Sequence, residues 1–144
     1  ALAALAAMAM TATTAQAQES FKIGIVSFLS GQAAESFGIP AVNGAKVLVE
    51  AFNQGAAPAP YNKPGIGGMK IEAVYVDENG GATKQVQELR NLYDREKVDA
   101  VVGYVSSGDC LAVAPVAEEL KTRLLTPARF IACSRVRVPA RLFS

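Results

Sequence analysis

The 144 residues are 51% apolar and 19% charged, enough for one domain with a real core and too apolar for a disordered chain. Histidine is absent and there are only two cysteines, Cys110 and Cys133, which excludes histidine general-base catalysis, a Ser-His-Asp triad and zinc sites of the usual Cys/His kind. The formal charge of +1 hides a division, because residues 1–120 carry 8 basic and 13 acidic side chains, whereas residues 121–144 carry 6 basic and no acidic ones.

The chain opens with ALAALAAMAMTATTAQA, uncharged and rich in Ala, Leu and Met. The apolar run is too short to span a bilayer, and Ala15-Gln16-Ala17 has the small-x-small form that signal peptidase accepts. Residues 1–17 therefore read as a secretory signal whose start is incomplete, with the mature chain beginning near Gln18 and exported to a periplasm. An Ala-rich helix is the bland alternative. The two cysteines fit one bridge or two thiols equally well.

FKIGIVS (21–27) predicts a short apolar strand. From Ile39 the apolar residues Val42, Ala45, Val49 and Phe52 recur at helical spacing, with Pro40 in the first turn and Gly55 in the position of a C-terminal cap. GAAPAPYNKPGIGG (55–68) is a surface loop, and its G-x-G-G precedes a strand, so it is no phosphate cradle. MKIEAVYVDE (69–78) predicts a second strand, with Ile71, Ala73, Tyr75 and Asp77 on one face and Val74 and Val76 on the other. After NGGA, Thr83 offers an N-cap, and the following helix carries Val86, Leu89 and Tyr93 along one stripe. VDAVVGYVS (98–106) predicts the third strand. DCLAVAPVAEELK (109–121) is a third helix that Pro115 should bend or fray, and RLLTPA predicts a fourth strand ending at Thr126-Pro127.

Strand and helix thus alternate three times, which argues an α/β fold on a parallel sheet. In such sheets ligands sit at the carboxyl ends of the strands, near helix N-termini. Three strand ends qualify: Ser30-Gly31, the run Asp77–Gly81, and Ser106-Ser107-Gly108. Each alone is also compatible with a plain turn.

Several stretches together resemble the type I periplasmic solute-binding proteins of the branched-chain amino acid (Leu/Ile/Val-binding) class. They are Leu29-Ser30-Gly31, Phe37-Gly38, Asn43-Gly44-Ala45 and Asn53, followed by KIEAVYVDE and VDAVVGYVSS. The likeness runs from about Phe21 to Ala128 and is specific as an ensemble. It implies a parallel-sheet βαβαβα lobe of that fold, incomplete, over residues 18–128. It also implies a two-lobed clamp that captures a small solute for the membrane permease of an ABC importer. The expected ligands are amino acids, amides or aromatic acids, with no cofactor, no metal and no nucleic-acid partner. The site residues implied are Phe37, packing over the solute, Ser106, Ser107 and Gly108, gripping its carboxylate, and Ala128 after the fourth strand. Phe28, Arg129 and Phe130 depart from the family pattern.

Residues 129–144, FIACSRVRVPARLFS and the arginine before it, form a divergent basic tail without strand or helix period. The tail reads as a shifted frame or as an interaction arm, and the chain is then expected to be a lobe fragment with impaired binding. The competing function is a non-binding fragment or interaction module. An enzyme ranks third, because Asp77 and Glu78, adjacent on a strand, point to opposite faces and cannot share one site.

Overall fold

The computed structural model describes residues 20–120 and the backbone of the short strand Arg123–Leu125. Residues 1–17, for which a signal is expected, and Thr126-Pro127, Ala128, Cys133 and the expected tail 129–144 lie outside the described residues. The elements run β1 (Ser20–Ser27), α1 (Ile39–Gln54), β2 (Lys70–Asp77), α2 (Gly81–Asp94), β3 (Ala100–Gly103), α3 (Ser107–Glu119) and β4 (Arg123–Leu125). The pairings between these strands are parallel, in the order β2-β1-β3-β4, with Ile23 opposite Ala73 on one side and Ala100 on the other. The expected parallel α/β alternation is the observed one.

Strand alternation sends the two faces of β2 to different helices. Val74 and Val76 pack against a core of Val26, Val101, Leu89, Leu92, Tyr104, Cys110 and Val113, where α2 and α3 meet the sheet. Tyr75 points the other way and lies under Lys46 of α1, whose ammonium is 5.4 Å from the ring centroid. The helical stripe on α1 buries Val42 fully and leaves Val47 and Leu48, which lie off the stripe, exposed. Pro40 and Gly55 stand where expected, Gly55 in the left-handed conformation with φ 67°.

Four local expectations need correction. Thr83 is not the cap of α2. Gly80 and Gly81, at φ 116° and 78°, turn the chain there instead, with Gly80 at the N-cap three residues earlier, and no side chain caps the helix. The stripe on α2 also differs, since Gln85, Leu89 and Leu92 are buried while Tyr93 is exposed. β3 is shorter than its apolar run. At Gly103, with φ 143°, an added Cβ would sit 2.0 Å from the Val26 carbonyl oxygen, and Tyr104 then turns left-handed at φ 63°. Finally, α3 begins at Ser107 and runs unbroken through an exposed Pro115, whose missing N–H removes a single bond at the helix surface.

The return from α1 to β2 is fixed by one side chain. Asn53 Nδ2 donates to the Ile71 carbonyl at 2.9 Å, and the Ile71 N–H donates to Asn53 Oδ1 at 2.7 Å. The amide thus pairs with a strand backbone as another strand would. Asn53→Ala should destabilise the fold by about 1–3 kcal/mol, and Asn53→Asp by more, since it sets a carboxylate against the Ile71 carbonyl. Urea unfolding would measure both, and equal stability of the Asp variant and the parent would contradict this pairing.

Candidate functional site

The loops after β1, β2 and β3 leave the same carboxyl edge of the sheet, and β1 lies between the other two strands. They are joined by two consecutive carboxylates. Asp77 reaches the loop after β1: its Oδ1 accepts from the N–H groups of Leu29 (2.9 Å), Ser30 (3.3 Å) and Asn79 (3.0 Å). The Ser30 hydroxyl donates to Asp77 Oδ2 and accepts from Asn79 Nδ2 at 3.0 Å. Burial pushes the Asp77 carboxyl upward, but the Ser30 hydroxyl and the N–H groups of Asn79, Leu29 and Ser30 outweigh it and hold the carboxyl below its ordinary value.

Glu78 turns the opposite way and is fully buried. Its N–H continues the parallel ladder to the Ser27 carbonyl at 2.8 Å. Its carboxylate takes the N–H groups of Val105 (2.9 Å, on Oε2) and Ser106 (2.7 Å, on Oε1). Burial pushes this carboxyl up, the two N–H groups partly offset that, and the negative charges of Asp109 and Asp77 push it further up. The expectation that the adjacent acids cannot share a site agrees with this geometry: each serves a different loop. The sequence reading missed the reason both are present. The only cue was a strand ending in Asp-Glu ahead of Asn-Gly-Gly.

The candidate residues fall as follows. Ser106 is the N-cap of α3, with its hydroxyl accepting from the Asp109 N–H at 3.3 Å and its carbonyl accepting from the Cys110 N–H at 2.9 Å. Ser107 and Gly108 are the first two residues of α3, both exposed, and their N–H groups have no intrahelical partner. Phe37 is 63% exposed on a short π-helical turn, Ala34–Gly38, which the sequence reading did not anticipate. Gly38 lets that turn fold onto the end of β1, because an added Cβ there would lie 1.6 Å from the Phe28 carbonyl oxygen. Ala128 lies outside the described residues. Ser30-Gly31 and Asp77–Gly81, the other two candidate strand ends, are bonded to each other.

Tyr104 is buried below the loop after β3, and its hydroxyl has no hydrogen-bond partner among the described residues. Burial first, then the charges of Glu78, Asp109 and Glu88, push this phenol far above its usual range. A separate hollow of about 270 Å³ lies between β2 and the later part of α2, lined by Val74, Val76, Leu92, Glu88, Asn91, Arg95 and Glu96, away from these loops. Among the described residues no group of three or more metal-ligating side chains is gathered.

The two acids respond to pH with opposite sign. Asp77, held low, contributes stability that is complete above its ordinary value of 3.8 and is lost as pH falls through the lowered one. Glu78, raised, contributes stability that is present below its ordinary 4.5 and is lost as pH rises through the raised value. Asp77→Asn should therefore reduce stability most at neutral pH and least in strong acid. Thermal melts of parent and variant from pH 2 to pH 7 would check this, and a pH-independent difference would contradict it.

The fold has counterparts in solved proteins. The isoleucine complex of LivJ, the branched-chain amino acid transporter substrate-binding protein of Streptococcus pneumoniae, is similar to this chain with a TM-score of 0.65 and 29% identity. The match covers 76% of this chain and 29% of that one. The leucine-binding protein LivK of Thermotoga maritima shows a TM-score of 0.60 and 30% identity, covering 74% and 27%. A solute-binding protein of an ABC transporter from R. palustris, in complex with 4-hydroxybenzoate, shows 0.57 and 25%, covering 75% and 27%. The chain thus spans less than a third of the length of the structures it resembles. No curated protein is significantly similar to it. The sequence profile described as "Periplasmic binding protein" matches residues 20–136, well over half of the chain. The chain belongs to the periplasmic binding protein family.

Proposed function

We propose that residues 18–128 form part of the amino-terminal ligand-binding lobe of the solute-binding component of an ABC importer, exported to the periplasm and handing its solute to a membrane permease. Binding, not catalysis, is the role. The solute is a small molecule bearing a carboxylate, an amino acid or a related acid. The observation that carries this reading is the turn at Ser106–Gly108. A capped helix begins there, and its first two residues are exposed at the carboxyl edge of a parallel sheet, where the helix N-terminus favours an anionic group. The solutes in two of the similar structures, isoleucine and 4-hydroxybenzoate, share only a carboxyl group and an apolar body. Phe37, exposed at the same edge, supplies a surface for that body.

In this reading the two serines do different work. Ser106 shapes the turn through its cap, and Ser107 is left to meet the solute. Ser107→Ala should weaken binding of the preferred carboxylate by about tenfold or more and leave the melting temperature unchanged. Ser106→Ala should lower stability by about 1 kcal/mol as well as affinity. Calorimetric titration with isoleucine and with 4-hydroxybenzoate tests the reading. Unchanged affinity in a Ser106→Ala, Ser107→Ala double variant refutes the role of the turn.

A further inference from the structure

We propose that Glu78 is the positioning residue of the solute-binding turn: its buried carboxylate holds Val105 and Ser106 from behind and leaves Ser107 and Gly108 as the amides available to a solute carboxylate. This deepens the solute-binding reading above and rests on it.

Donor accounting around the turn supports the assignment. The N–H groups of Val105 and Ser106 are taken by the two oxygens of Glu78, that of Asp109 by the Ser106 hydroxyl, and that of Cys110 by the Ser106 carbonyl. Ser107 and Gly108 lie between these and open the helix, where backbone donors have no partner within it. An ionised carboxylate is the side chain suited to two neighbouring N–H groups, because both of its oxygens only accept. Glutamine would set an NH2 group against one of them.

Among the described residues, nothing else around Glu78 supports a charge on it. Among the described residues, the groups that act on it are Asp109 on α3 and, from the neighbouring position, Asp77, both acidic, with neutral Tyr104 beside them after β3. Glu88 of α2 acts on Tyr104, and Lys84 of α2 is engaged with the Asn79 carbonyl. A buried carboxylate without a cation is costly to the fold, and here that cost accompanies a clasp on one loop. Acidification should therefore separate two effects. As pH falls toward the raised value of Glu78, its contribution to folding stability improves, whereas the protonated group loses an acceptor and its hold on the turn weakens. A residue acting only through stability would move folding and binding in the same direction.

Amide NMR on the full chain tests the proposal, with isoleucine and 4-hydroxybenzoate as probes. The Val105 and Ser106 amide protons should follow one titration step above the ordinary carboxylate range. Probe affinity, read at the Ser107 and Gly108 amides, should fall about tenfold on the acid side of that step. Glu78→Gln should weaken binding about tenfold to a hundredfold and abolish the step, and Glu78→Asp should retain it. Unchanged affinity in Glu78→Gln, or affinity that rises on acidification, overturns the positioning role. Should Glu78→Gln not fold, the titration of the parent decides: a bound probe without a step at Val105 and Ser106 overturns the role of Glu78 alone. A step at those amides with no probe response at Ser107 or Gly108 overturns the solute-binding reading and this proposal with it.

Discussion

Asp77 and Glu78, side by side at the end of β2, hold the carboxyl edge of this sheet together. Because successive strand residues point to opposite sides, one acid reaches the loop after β1 and the other reaches past it to the loop after β3. The two attachments differ in their physics. Asp77 sits in a partly solvated site with four donors and stays ionised readily. Glu78 is desolvated and lies near other acids, which push its carboxyl up, and among the described residues two backbone N–H groups oppose that shift. The first tie is stabilising and the second is expensive.

The rest of the fold supplies a firm base for that edge. β1 is paired on both sides, the core between the sheet and the α2–α3 layer is closed by Val26, Val101, Leu89 and Val113, and Asn53 locks the return from α1 into β2. Arg90 and Glu119 bridge α2 and α3 at 2.8 Å on the surface, where such a pair contributes little. Loops that carry function are best placed on elements of this kind, since the scaffold fixes their ends while their tips remain exposed. Phe37, Ser107 and Gly108 are exposed tips on this scaffold, and Gly38, Ser106 and Glu78 fix the turns that carry them.

Membership of the periplasmic binding protein family rests on a match over most of this chain but under a third of the relatives it resembles. That proportion shapes the chemistry proposed. Under the proposed function, the described residues supply one wall of the solute site: a helix start with unengaged amides, a hydroxyl and an aromatic ring. One wall can define the class of group it receives, here a carboxylate. The choice among solutes sharing that group depends on contacts to the remainder of the molecule, which these residues do not enclose.

The amino-acid sequence by itself determined whatever depends on residues near one another along the chain. The alternation of Ile71, Tyr75 and Asp77 with Val74 and Val76 identified the faces of β2. The spacing of Val42, Val49 and Phe52, bounded by Pro40 and Gly55, marked out α1, and the repeated strand-helix order implied the parallel sheet. Only the tertiary structure decided where β3 stops, which serine caps α3, and what Glu78 does. The end of β3 depends on how closely Gly103 passes the Val26 carbonyl of a neighbouring strand. The Ser106 N–H is held by a carboxylate 28 residues earlier in the chain, delivered there by the packing of β2, β1 and β3. Periodicity reports which face a side chain occupies, whereas a hydrogen bond to a distant backbone depends on where the folded strands bring that face.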